Sequence, residues 1–98
     1  AIEKVLKKTG WDAADVDLWE INEAFAMVTM LAIDGFKLDT AKVNINGGAC
    51  ALGHPLGSSG SRIIVTLIHA LKRTGGKKGI AALCIGGGEA TAIAVELV

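Results

Sequence analysis

Three side chains here can move protons or stabilise charge near the ends of predicted strands: Asn22, His54 and Cys84. Eight of the thirteen glycines fall in two places, 47–60 and 86–88, each adjoining the end of a predicted strand. Open α/β sheets bind their ligands at such strand ends. The stretch Val43 to Arg62, VNINGGACALGHPLGSSGSR, holds five glycines, the only proline and one of the two histidines. It is a loop with tightly specified turns, because glycine permits positive φ and proline fixes φ near −65°. His54 stands between Gly53 and Pro55, so its backbone is restrained on both sides. A base needs such restraint, and an ordinary turn histidine has the same flanks.

Each of the three also has a plainer reading. Asn22 can cap a helix through its side-chain oxygen. A free cysteine such as Cys84 is often only a small buried hydrophobe. The Gly86-Gly87-Gly88 run that follows shifts the balance, since it exposes backbone N–H groups as an oxyanion site requires. Cys50, within GGACALG, reads as a small packing residue, and His69 as a surface histidine. Phosphate-loop readings fail on detail. GGACALGHPLGSSGS lacks the lysine of a P-loop, and Gly86 to Thr91 lacks the third glycine of a dinucleotide fingerprint.

The elements that must position these residues follow from hydrophobic period. Residues 1–9 form a surface helix with Ile2, Val5 and Leu6 on one side, stopped by Gly10. Val16 to Ile21 alternate as a strand. At Asn22 the period changes to that of a helix, AFAMVTMLAI, apolar almost all round and ended by Asp34-Gly35. A helix without a polar face is buried on most sides. A polar connection covers Lys37 to Lys42, and Val43 and Ile45 suggest a short strand. The next helix runs from about Gly57–Ser59 to Arg73, with Arg62, Thr66, His69 and Arg73 as its wet stripe. Ile80 to Ile85 is an apolar run expected of a strand covered on both faces. Thr91 to Val98 pairs back on it antiparallel. The order implies a layered α/β domain with a mixed sheet.

Bulk composition bounds the rest. Ninety-eight residues make one domain, 1–98, and ten basic against ten acidic residues leave no footprint for nucleic acid or a charged membrane. The longest apolar stretches fall short of the ~20 residues that cross a bilayer. A 51% hydrophobic content is high for a small free domain, which buries only about two-thirds of its unfolded surface. Some apolar surface is therefore expected to be covered from outside. The chain opens in a helical pattern without an initiator methionine and reads as a fragment or processed product. Two cysteines 34 positions apart give neither metal spacing nor a disulfide framework, and imply a reducing compartment.

With these segments laid out, the chain resembles the C-terminal half of a thiolase, an acetyl-CoA acyltransferase. Three blocks carry the likeness: NEAFA at 22–26, NINGGACALGHPLGSSGSR at 44–62 and CIGGG at 84–88. The long middle block is specific, whereas either short one alone would be weak. The resemblance implies a half with layered helices around a mixed sheet, within a five-layer whole. It implies that His54 activates a nucleophilic cysteine and helps hold the thioester oxygen. It makes Cys84 the thiol that shuttles a proton at the α-carbon of acetyl-CoA. Asn22 would fix a water that forms an oxyanion hole with His54, and the Gly86 N–H would serve a second one. Ala24 and Phe25 would line the pantetheine channel. Coenzyme A thioesters are then the substrates, with no covalently bound cofactor and no metal. The reaction is Claisen condensation of acetyl-CoA, or thiolytic cleavage of 3-ketoacyl-CoA in fatty acid metabolism.

The family's acyl-accepting cysteine belongs to an N-terminal half that is absent here, so this piece alone is expected to be inactive. The whole enzyme is expected to be a cytoplasmic homo-oligomer, with mitochondrial or peroxisomal placement also open. Ala90 departs from the glycine common after the triple-glycine motif, which bears on subfamily and not on reaction type. Two other readings stand beside this one. A non-catalytic acyl-CoA-binding or subunit-interaction domain would have no need of a proton-shuttling thiol. A β-ketoacyl synthase uses two histidines, and Cys84 is the wrong residue for that site.

Overall fold

A computed structural model describes residues 1–98. Helix α1 spans Ile2–Thr9 and buries Ile2. Gly10 closes it in the left-handed region (φ 73), where its N–H reaches the Leu6 carbonyl. A 3-10 turn at Ala13–Asp15 with an Asp12 cap leads to strand β1, Leu18–Ile21. Helix α2 spans Ala26–Phe36, a one-turn helix α3 spans Ala49–Leu52, and α4 spans Ser59–Thr74. Strands β2, Lys78–Ile85, and β3, Glu89–Glu96, close the chain.

The sheet order is β1-β2-β3, with β1 parallel to β2 and β2 antiparallel to β3. The mixed sheet expected from the sequence is therefore present. A parallel pair needs a long crossover, and α2, the glycine-rich loop and α4 together supply it. Alternate residues divide the sheet between two cores. Trp19, Ile21, Ile80 and Ala82 pack with Ile2, Leu38 and Val43 beneath α1 and α2. Leu18 and Ala81 pack on Ile63, Leu67, Ala70 and Leu71 of α4. Gly79 allows that approach, since a Cβ there would lie 2.9 Å from Leu67 and Leu71. The chain thus contributes three layers: helices, sheet, helix.

Several local expectations change. Helix α2 starts at Ala26 behind an extended Phe25, so Asn22 caps nothing. Its N–H instead continues the strand pairing to the Ala82 carbonyl at 2.9 Å. Asp34-Gly35 lies inside the helix, which ends only at Lys37 (φ 54). The sole buried residue of α2 is the polar Thr29, whose hydroxyl donates to the Ile21 carbonyl at 3.2 Å. Met27, Met30 and Leu31 of this apolar helix are open to solvent. One sheet face can bury only one stripe of a helix, and the opposite stripe has no partner within this chain. The strand expected at Val43 and Ile45 shrinks to a single bridge, Trp19 to Val43. In the wet stripe of α4, Arg62 turns inward while His69 and Arg73 stay exposed.

Arg62 turns inward because Glu20 is there. Glu20 is 2% exposed on the α4 face of β1, with Arg62 Nη1 3.4 Å from its carboxylate. Burial pushes the Glu20 carboxyl up to about 7, although Arg62 opposes the shift. The folded protein then keeps this proton where the unfolded chain, with a carboxyl near 4.5, has lost it. Stability from this group should fall as pH rises from 4.5 to about 7, by roughly 3 kcal/mol in all. Denaturant unfolding across that window should show Glu20→Gln without this loss relative to wild type; parallel pH curves would contradict it.

Candidate active site

The parallel strands β1 and β2 end on the same side of the sheet, at Asn22 and at Ile85-Gly86. The glycine-rich loop is brought to that side by Asn44. Its side-chain amide accepts the Ile21 N–H and donates to the Ile21 carbonyl, both at 2.8 Å. Its own N–H donates to the Trp19 carbonyl at 2.9 Å. Asn44 lies in the left-handed region at φ 49, a conformation asparagine tolerates better than most residues. One side chain thus stands in for the next rung of a strand. The chain then turns through Gly47 (φ 83) into α3 and leaves it at Gly53 (φ 98).

His54 comes next, and Ser59 fixes its ring. Nδ1 lies 2.5 Å from Ser59 Oγ, and that hydroxyl also lies 3.1 Å from the Pro55 carbonyl. A serine has one proton to give, and a carbonyl can only accept. Both contacts are satisfied when the hydroxyl donates to Pro55 O and Nδ1–H donates to Ser59 Oγ. That tautomer leaves Nε2 with a free lone pair, as a general base needs. Ser59 is itself buried, and the N–H groups of Ser58 and Ser59 both reach Pro55 O at 2.8 Å. The turn that holds the imidazole is therefore also the start of α4.

An open groove of about 520 Å³ lies at these strand ends. Of the residues expected in the site, Ala24, Phe25, His54, Cys84 and Gly86 line it together. Cys84 is a free thiol of intermediate exposure and also borders a smaller apolar cavity of about 230 Å³ beside Ile21 and Val28. Asn22 does not line the groove. It is fully buried, and neither its amide nitrogen nor its oxygen has a hydrogen-bond partner within the chain. Leaving such groups unpaired costs about 1–3 kcal/mol each.

Cys50 is exposed rather than packed. The neighbouring Glu23 carboxylate, by hydrogen bonding first and then with burial and charge, pushes its thiol above the usual range. A thiol held protonated is a poor nucleophile. Burial of Glu23 opposes its charge, yet the Cys50 N–H and Asn44 amide hydrogen bonds outweigh that and hold it below the usual carboxylate value. Glu23, Asn44 and Ser59 were not singled out from sequence. Their partners lie 27, 23 and 5 positions away, and only the last of these is a local signal.

His54 with its Nε2 free, the free thiol of Cys84 and the glycine turn at Gly86 thus meet at one groove at the end of an α/β sheet. The sequence model described as "Thiolase, C-terminal domain" matches residues 1–97. The cytosolic acetyl-CoA acetyltransferase of Mus musculus is 57% identical over 96 residues, covering 98% of this chain and 24% of the mouse protein. The crystal structure of the Bacillus anthracis acetyl-CoA acetyltransferase superposes with a TM-score of 0.96 at 51% identity, over 100% of this chain and 25% of that one. Human mitochondrial 3-ketoacyl-CoA thiolase in complex with CoA gives the same score at 49% identity, again over 100% and 25%. The chain belongs to the thiolase family, as its C-terminal domain. It spans about a quarter of the length of these relatives.

Proposed function

We propose that this chain is the C-terminal catalytic segment of a thiolase, which condenses acetyl-CoA or cleaves 3-ketoacyl-CoA. The observation that carries this reading is the shared groove of His54, Cys84 and Gly86. His54 Nε2 takes the proton of an acyl-accepting cysteine supplied by the rest of the enzyme. That thiolate attacks the thioester carbonyl, and coenzyme A leaves as the thiol with the proton of Cys84, which is left as thiolate, while His54 keeps the proton on Nε2 and can donate it. Free thiols, with pKa about 8.5, are mostly protonated at neutral pH, so a base is needed.

In the second step the Cys84 thiolate removes a proton from the α-carbon of a second acetyl-CoA. The enolate attacks the acyl-enzyme carbonyl, a carbon–carbon bond forms, and the nucleophilic cysteine is expelled as thiolate and recovers its proton from His54. Enolate formation is uphill, and each donor aimed at the developing oxyanion is worth about 3–4 kcal/mol. His54 and a water held by Asn22 serve that oxygen; the unpaired buried amide of Asn22 supports the assignment. The Gly86 N–H serves the oxyanion of the acyl-enzyme. Ala24 and Phe25 flank the pantetheine arm.

Coenzyme A thioesters are the substrates on this reading, and no covalently bound cofactor takes part. The rest of the enzyme, and a second subunit of a homo-oligomer, cover Phe25, Met30 and Leu31, which are more than 60% exposed here. Two free thiols suit a reducing compartment, and the cytosol is the one proposed. The 98-residue chain by itself should not cleave acetoacetyl-CoA, and any measurable turnover by it would refute the need for an outside nucleophile. In the full-length enzyme, Cys84→Ala should still accept an acetyl group, as mass spectrometry of the acyl-enzyme would read, and should lose condensation. Normal condensation by that variant would overturn the role of Cys84.

A further inference from the structure

Glu23 follows Asn22 directly, yet its carboxylate reaches into the glycine-rich loop. Oε2 accepts the Cys50 N–H at 3.0 Å, and Oε1 accepts a proton of Asn44 Nδ2 at 3.3 Å. Gly48 leaves the space for it. A Cβ on Gly48 would lie 2.4 Å from Glu23 Cδ and 2.6 Å from each carboxylate oxygen. Gly48 itself has φ −105, an ordinary value for any residue, so it is the carboxylate and not the backbone that demands glycine. The carboxylate is thus wedged between two segments. On one side is the strand end that carries Asn22, and on the other is the short helix that leads through Gly53 into His54.

We propose, on the thiolase reading above, that Glu23 is a positioning residue that sets His54 against Asn22. It lines no groove and touches no reacting atom. Its carboxylate is suited to the task because it only accepts, and both neighbours that face it donate. Glutamine at this position would keep one acceptor and turn an amide N–H₂ toward the other donor. The two oxyanion-binding groups come from segments that are far apart in sequence, and Glu23 bridges them with a single side chain. A misplacement of about 1 Å at such a site can cost about 100-fold in rate.

The test is made in the full-length enzyme with acetoacetyl-CoA thiolysis. Glu23→Ala should lower kcat by about 100-fold with KM little changed, and Glu23→Gln should recover part of the loss. Gly48→Ala alone should also lower kcat, because its methyl group displaces the carboxylate. In the Glu23→Ala background the same Gly48→Ala change should cost almost nothing further, since the clash is gone. The pH profile of Cys50 alkylation reads the geometry without turnover, and should move to lower pH in Glu23→Ala. An active wild type with kcat unchanged in Glu23→Ala would overturn the positioning role. So would a Gly48→Ala penalty of equal size in both backgrounds. A full-length wild type without thiolase activity would overturn the underlying reading, and this role with it.

Discussion

The pairing of the Asn44 amide with both backbone groups of Ile21 holds the site together. A strand edge offers alternating donors and acceptors, and a loop that meets it must answer them or leave them to water. Here one side chain answers both at 2.8 Å, at a residue whose own backbone is already turning away at φ 49. The sheet edge and the glycine-rich loop are thereby locked in register. Everything downstream inherits that register: Gly47 and Gly48, the single turn of α3, His54, and the Ser59 start of α4. The glycines give the loop its path, and Asn44 decides where the path begins.

Much of this was legible in the sequence, for a physical reason. Elements whose hydrophobic pattern is set by a core on the same chain came out as expected: α1 with its Gly10 stop, α4, and the β2–β3 pair around the glycine turn. The groove residues were also readable, because the blocks holding Phe25, His54 and Cys84 carry the family likeness. What was not legible depends on distant partners. Asn22 has the form of a helix cap, but the parallel pairing of β1 with β2 runs on through Asn22 and delays the helix to Ala26. Glu20 sits in a strand pattern as an outward residue, and only the inward turn of Arg62 gives it company in the core. No local period announces either fact.

The apolar helix α2 shows the same limit from the other direction. Its composition predicts burial nearly all round, yet Met27, Met30 and Leu31 face solvent. A chain that spans about a quarter of its relatives' length has one sheet and two thin layers of helix to offer. Phe25 and Leu56, beside the groove, are exposed in the same way. The exposed apolar surface and the groove are neighbours, so what covers the first also shapes the second.

On this account, one groove is shared by Ala24 and Phe25 beyond the end of β1, the loop at His54 and the strand end at Cys84. The most direct measurement is an experimental structure of the full-length protein with a bound coenzyme A thioester. It should show the thioester oxygen within hydrogen-bonding reach of His54 Nε2, with Cys84 Sγ beside the α-carbon. A thioester seated away from the groove, or an imidazole and thiol that face different cavities, would contradict it.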